Sequence, residues 1–203
     1  MALAESGLNG WARDESTSDL LSSLLQRCYQ GDERAFTILY DQYAAYIYRL
    51  AFGFLQHKED AEEVMQDTFE YAFRRIQKYD PAKASFKTWL YQIAASRCRN
   101  KRRRKWLPTF SFGQLDEGDL RDSTIPLPDD QLMLSARQKE IWEALRSLSP
   151  KLRETAVLRY YEGLSYPEIG QILGIPAKTA ESRMRLAHGA LKELLSIRLN
   201  VED

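Results

Sequence analysis

Apolar side chains in this chain return every three or four positions over long stretches, and nowhere do they alternate at every second position for any length. Leu20, Leu21, Leu24, Leu25 and Cys28 follow this spacing, and Ala35, Phe36, Leu39, Tyr40, Tyr43, Ile47, Leu50, Ala51 and Phe54 continue it. That period is the α-helical one, so the chain is expected to be all-α. With 203 residues and 44% hydrophobic content, it can bury one ordinary core or two small ones.

Punctuation divides the pattern. Gly31 stops the first helix, and Asp32 stands where an N-cap starts the second. Asp60 is expected to open a third helix running to about Lys78, and Asp80-Pro81 breaks it. A fourth helix is expected from about Ser85 to Trp106. Residues 107–131 hold Pro108, Gly113, Gly118, Pro126 and Pro128, and read as an acidic flexible linker. Periodicity resumes near Leu132. Ser149-Pro150 pairs an N-cap with proline at the first helical position, and Gly163 ends that helix. Ser165-Tyr166-Pro167-Glu168 is a capping box for a short helix that Gly174 stops. A last helix is expected from Ala177 to about Ile197. The expectation is two small helical domains, 18–106 and 132–203, with a disordered tail over 1–17.

The net charge is zero, with 29 basic and 29 acidic residues, but the average hides local blocks. Arg97, Arg99, Lys101, Arg102, Arg103, Arg104 and Lys105 crowd into nine positions without an acid, whereas Ser111 to Asp130 holds six acids and one arginine. Such a split suggests a surface facing a polyanion beside a spacing or repelling segment.

Other classes are disfavoured. No apolar run reaches the length of a membrane span, and residues 1–19 are acidic without the apolar core of a signal peptide. Cys28 and Cys98 are too few for a disulfide framework, and a reducing cytoplasmic setting fits them. His57 and His188 are the only histidines and lie far apart. There is no phosphate-binding glycine loop and no paired-histidine metalloprotease pattern. No catalytic, cofactor-binding or metal-binding residue is expected, nor a small-molecule substrate.

Three constellations carry a functional signal. The first is the short capped helix, the Gly174 turn and the helix after it, which together form a helix-turn-helix. On that last helix Ala180, Met184, Ala187, Leu191, Leu194 and Leu195 share one arc. Lys178, Ser182, Arg185 and Lys192 lie opposite, with Thr179 and Glu181 flanking and Arg183 nearer the buried edge. An N-terminal end of this composition can enter a major groove; an ordinary helix pair with a solvated face is the alternative.

The second is the fourth helix. Phe86, Trp89, Leu90 and Ile93 form its buried stripe, and Thr88, Gln92, Ser96, Arg99 and Arg103 fall within about 80° of one another. Polar groups early and guanidinium groups late on one face can read bases and neutralise phosphate. Tyr79 and Phe86, beside this surface, can either stack on unpaired bases or pack in the core. The third is the helix opened by Asp60. Asp60, Glu63, Asp67 and Glu70 form an acidic strip, with Gln66 among them, opposite the arc of Ala61, Met65, Phe69 and Phe73. The strip is either a docking surface for a basic partner or a solvated face.

Taken together, these residues resemble the extracytoplasmic function (ECF) group of bacterial RNA polymerase sigma factors, part of the sigma-70 family. Gly31 to Phe36, Asp60 to Phe69, Phe86 to Ala94, Leu148 to Tyr160 and Leu164 to Ile169 each match a family stretch, in order. The resemblance implies that Asp60, Glu63, Gln66, Asp67 and Glu70 dock on the clamp of core polymerase. It implies minus-10 recognition and DNA opening by Tyr79, Phe86, Thr88, Gln92, Ser96, Arg99 and Arg103. Minus-35 recognition would fall to Lys178, Thr179, Glu181, Ser182, Arg183 and Arg185. It further implies promoter DNA as partner, an anti-sigma factor, and no enzymatic activity. A conventional helix-turn-helix repressor or activator, working without polymerase, is the competing reading. Ser96 stands where the family often has Asn, and Glu181 lies in a helix where the family is more basic.

Overall fold

The computed structural model describes residues 15–106 and 136–199, with side chains described over 19–105 and 141–194. All eight α-helices among the described residues follow the expected order: α1 (Glu15–Tyr29), α2 (Glu33–Leu55), α3 (Lys58–Arg74), α4 (Phe86–Trp106), α5 (Ala136–Ser147), α6 (Pro150–Tyr160), α7 (Tyr166–Leu173) and α8 (Ala177–Leu199). The expected linker, and the tail up to residue 14, lie outside the described residues. Glu15 to Thr17, assigned to the tail from sequence, instead form the start of α1. A glutamate there suits the positive end of a helix.

Local chemistry sets most boundaries. Gly31 takes φ +82°, a left-handed conformation that favours glycine, and Asp32 then caps α2 by accepting from the Arg34 N–H at 2.9 Å. The Arg27 guanidinium donates to the same carboxylate at 2.8 Å and holds its pKa below the usual aspartate value. At the other end of α2 the left-handed residue is Gln56, φ +57°, whose side chain donates to the Gly53 carbonyl at 3.0 Å. The opening of α3 departs from expectation. Its cap is His57, whose Nδ1 accepts from the Asp60 N–H at 3.3 Å, so the helix begins at Lys58. It also ends at Arg74, and Ile76–Lys78 forms a separate 3-10 turn.

In the first half α2, α3 and α4 pack mutually, and α1 lies on α2. Leu39, Ile47, Leu50, Phe54, Val64, Phe86, Leu90 and Tyr91 are essentially without solvent exposure at its centre. In the second half α8 packs against α5, α6 and α7. Leu145, Leu148, Ala156 and Ala187 form a small cluster there, flanked by Trp142, Leu152 and Leu191.

The halves also touch each other, α4 against α7 and α2 against α6. Val157, Leu158, Ile169, Ile172 and Leu173 belong to the same buried cluster as the core of the first half. The Phe52 and Trp142 rings meet edge-on at 5.6 Å. Arg153 fastens the junction. It donates to the carbonyls of Leu145, Arg146 and Leu148 at 3.1, 2.9 and 3.0 Å, around the end of α5, and to Phe54 O at 3.4 Å across the interface.

Candidate promoter-reading and polymerase-docking surfaces

Helix α7 follows from its sequence. The Glu168 carboxylate accepts from both the backbone N–H and the hydroxyl of Ser165, at 2.8 and 2.6 Å, completing the capping box. Gly174 ends the helix at φ +68°. Gly170 lies where the backbone leading into α8 crosses it: an added Cβ would meet the Ile175 carbonyl oxygen at 2.6 Å. These local features set α8 across α7 and aim its first turns outward. Ala180, Met184 and Ala187 are buried, and Lys178, Glu181, Ser182 and Arg185 are exposed. Those four side chains line one open cavity of about 560 Å³ together with Arg159 and His188. The Ser182 hydroxyl donates back to Lys178 O at 2.9 Å, so towards a ligand it offers chiefly its lone pairs. His188 Nδ1 lies 2.7 Å from the Tyr160 hydroxyl. Thr179 and Arg183 are half-buried beside this surface.

On α4 the expected reading face is divided. Ser96 and Arg103 are exposed, and Thr88 is half-buried with its hydroxyl 2.9 Å from that of Ser85. Gln92 and Arg99 instead face the second half, donating to the carbonyls of Gln171 and Leu173 at 3.2 and 3.0 Å. Of the two readings open for Tyr79 and Phe86, stacking on bases or packing in the core, burial fits the second. Tyr79 is 8% and Phe86 1% exposed. Their rings lie 5.3 Å apart edge-on, Phe86 meets Tyr43 in the same way, and the Tyr79 hydroxyl donates to Ala84 O at 3.2 Å. These aromatics belong to the buried core cluster beside the Asp80-Pro81 loop.

The acidic strip on α3 is corrected at one end. Asp60 was expected on the outward face but is 7% exposed. The turn set by the His57 cap directs its carboxylate to the basic run of α4, 2.7 Å from Lys105 and 3.6 Å from Lys101. Glu63 pairs with Lys101 as well, and that hydrogen bond is the chief cause of the raised Lys101 pKa. Gln66 and Glu70 remain exposed and Asp67 half-exposed. Glu70 pairs with Arg74 at 3.0 Å, a surface contact of small energetic weight.

The basic run is therefore largely spoken for. Lys101 and Lys105 face α3, Arg97 lies over the Tyr71 ring at 5.1 Å, and Arg102 pairs with Glu154 of α6 at 2.8 Å. Arg103 and Arg104 project into solvent. Among the described residues no group of three or more His, Cys, Asp or Glu side chains could hold a metal ion. No described helix is long and apolar enough to cross a membrane.

Comparison with known proteins fits this arrangement to a family. Residues 39–107 match Sigma-70 region 2, and residues 138–191 match Sigma-70, region 4. The RNA polymerase sigma factor NccH of Alcaligenes xylosoxydans xylosoxydans is 31% identical over 174 residues, 85% of this chain and 93% of that one. The chain belongs to the ECF group of the sigma-70 family. The ECF RNA polymerase sigma factor SigW of Bacillus subtilis is likewise 31% identical, over 87% of this chain and 97% of its own length. Among solved structures, CnrH in complex with the cytosolic domain of CnrY superposes with a TM-score of 0.60 at 25% identity, covering 86% of this chain and 96% of CnrH. The sigma factor RpoE from Bartonella quintana, in complex with the anti-sigma factor NepR, shares the fold at 21% identity and a TM-score of 0.60, over 80% of this chain and 97% of RpoE. As a sigma factor the chain directs RNA polymerase in transcription initiation. A helix-turn-helix regulator acting without polymerase is disfavoured, because the first half as well as the second matches a sigma region.

Proposed function

We propose that residues 18–106 bind core polymerase and the minus-10 element, and that residues 132–203 bind the minus-35 element. The observation that carries the reading is the outward set on α8. Lys178, Glu181, Ser182 and Arg185 are exposed around one cavity at the N-terminal end of the second helix of a helix-turn-helix, the part of this motif that meets base edges. Thr179 and Arg183 flank it. For the first half, Gln92, Ser96, Arg99 and Arg103, with Thr88 at the start, supply hydrogen-bonding groups and cations along α4. Gln66, Asp67 and Glu70, with Glu63, form the outward part of α3 that we assign to the polymerase clamp. Tyr79 and Phe86 support this surface from beneath.

A sigma factor of this kind works through polymerase and not through chemistry of its own, and we place it in the cytoplasm with that enzyme. We also extend to this chain an anti-sigma partner, since the related CnrH was solved with the cytosolic domain of CnrY and RpoE with the anti-sigma factor NepR. The test is reconstitution with core polymerase on a randomised promoter library. Initiation from templates sharing a spaced pair of elements is expected, with Glu181→Lys altering the upstream element and Ser96→Asn the downstream one. Initiation that is equally frequent without this chain would overturn the proposal.

A further inference from the structure

The outward face of α8 holds one side chain whose exposure no packing explains. Leu186 is 60% exposed, more than any other large apolar side chain described in the second half. The packing stripe of the helix runs through Ala180, Met184 and Ala187, all buried, and continues to the half-buried Leu191. Leu186 stands apart from that stripe. At 100° per residue it lies about 40° from Ser182 and one turn, about 6 Å, further along the helix. His188, which meets Tyr160, points about 160° away from it. Leu186 therefore extends the exposed row of Lys178, Ser182 and Arg185 with a hydrocarbon surface instead of a polar one.

A second observation lies just beyond. Gly189 follows Leu186 by three positions, about 60° round the helix, and is itself exposed. It sits in the interior of α8, where glycine costs stability relative to alanine. Gly170 has a packing reason for its missing side chain, the Ile175 backbone against it. Gly189 has none: among the described residues an added Cβ would meet nothing within 4 Å. Leu186 and Gly189 thus form an apolar step beside an open notch, continuous with the residues that the preceding reading turns toward the major groove. The missing side chain makes room for a body outside the chain.

We infer that Leu186 seats the C5-methyl group of one thymine in the minus-35 element, and that Gly189 leaves room for that nucleotide to approach the helix. The inference deepens the assignment of α8 to the minus-35 element and rests on it. In the major groove only the thymine edge carries a methyl group, and apolar side chains are what meet it. Lys178 and Arg185 on the same row supply the attraction to phosphate. A leucine gains nothing from phosphate oxygens, nor from the donors and acceptors of a G·C pair. Burying one methyl group corresponds to about 4-fold in affinity. Leu186 and Glu181 then read by different chemistry, one by an apolar contact and the other by accepting a hydrogen bond.

Uracil provides the test, since it keeps every hydrogen-bonding group of thymine and lacks only the methyl. Holoenzyme reconstituted with core polymerase selects a minus-35 motif from a randomised library, and each thymine of the selected duplex is then replaced by uracil in turn. One replacement is expected to weaken binding about 4-fold. Leu186→Ala is expected to bind the thymine duplex as weakly as the parent binds the uracil one, and to ignore the replacement. Gly189→Leu fills the notch and is expected to lower affinity for the selected duplex by about 10-fold, with no fall in the urea midpoint of the chain. The inference is overturned if no thymine responds, if Leu186→Ala still prefers thymine to uracil, or if Gly189→Leu binds like the parent. It is also overturned if Leu186→Ala weakens association with core polymerase and leaves duplex affinity unchanged, which would make Leu186 a protein contact. Arg185→Ala separates the two levels. If that variant keeps the parent's minus-35 affinity and motif, α8 is not the reading helix and both assignments fall. If it weakens binding while uracil is silent, the role of Leu186 alone is wrong.

Discussion

Gly170 and Ile175 stand so close that a single methyl group would not fit between them: a Cβ on the glycine would lie 2.6 Å from the carbonyl oxygen of Ile175. The obstacle is backbone, which cannot rotate away as a side-chain tip could. Gly170→Ala gains helix propensity but forces α7 and α8 apart, and overpacking of this kind costs about 1–3 kcal/mol. Urea unfolding should show that loss, together with weaker minus-35 binding. Equal stability of variant and parent would mean that the crossing is looser than described.

The helix-turn-helix was legible because its determinants are local. A capping box, a glycine at the crossing and a glycine in the turn all lie within ten positions, Ser165 to Gly174, and none depends on a distant partner. The start of α3 was missed because its cap is His57, a residue without strong N-cap preference. Tyr79 and Phe86 were open to misreading because an aromatic beside a basic run looks the same in sequence whether it faces DNA or the core. The contacts between the halves left no local signal. Glu154 and Arg102 lie 52 positions apart, and Gln171 and Lys83 lie 88 apart. Glu154, between Arg153 and Thr155 in α6, reads in sequence as an ordinary solvated acid, yet its side chain is buried against Arg102.

Docking on polymerase is best tested away from Asp60 and Glu63, whose carboxylates also hold Lys101. Asp67→Lys with Glu70→Lys reverses two charges on the outward part of α3 and disrupts only the exposed Glu70–Arg74 pair. Co-purification with core polymerase should weaken markedly, while unfolding free energy changes by no more than about 0.5 kcal/mol per site. Retained co-purification at moderate salt would exclude this strip as the contact.

On α4 the exposed residues separate two kinds of contact. Arg103→Ala should weaken holoenzyme binding to all promoters alike and reduce the salt slope by about 1, since a phosphate contact carries no sequence information. Ser96→Asn should shift the preferred minus-10 bases and leave the slope unchanged. Promoter-library sequencing at two salt concentrations distinguishes these outcomes, and a base-selective effect of Arg103→Ala would contradict the phosphate assignment.

Acid should expose the role of Asp32. Its folded pKa is depressed, first by the hydrogen bond from Arg27 and further by the Arg34 N–H. A depressed carboxylate stabilises the fold above its unfolded pKa and loses that contribution as the pH falls through the folded value. The parent chain should therefore be more stable than Asp32→Asn by a constant margin above about pH 4, and the margin should close below it. A margin independent of pH through that window would show that the ionised carboxylate contributes nothing.

Glu181 gives the sharpest test of the α8 surface. It is exposed, on the same cavity as Lys178 and Arg185, and it is the only acid among the residues lining that cavity. A carboxylate there can accept from a cytosine amino group, a contact worth ~1–3 kcal/mol of discrimination, while repelling the phosphates on either side. Glu181→Lys removes the acceptor and adds a cation. The minus-35 motif selected from a randomised duplex should change at one position, non-specific affinity should rise, and the salt slope should steepen by about 1. Arg183→Ala, half-buried beside the cavity, should instead weaken all sequences equally. The full chain is the right material, because Val157 and Leu158 of the second half are buried in a cluster shared with the first, and a fragment would expose them. If Glu181→Lys leaves both motif and slope unchanged, α8 presents a different face to DNA and the groove-facing register must be rotated.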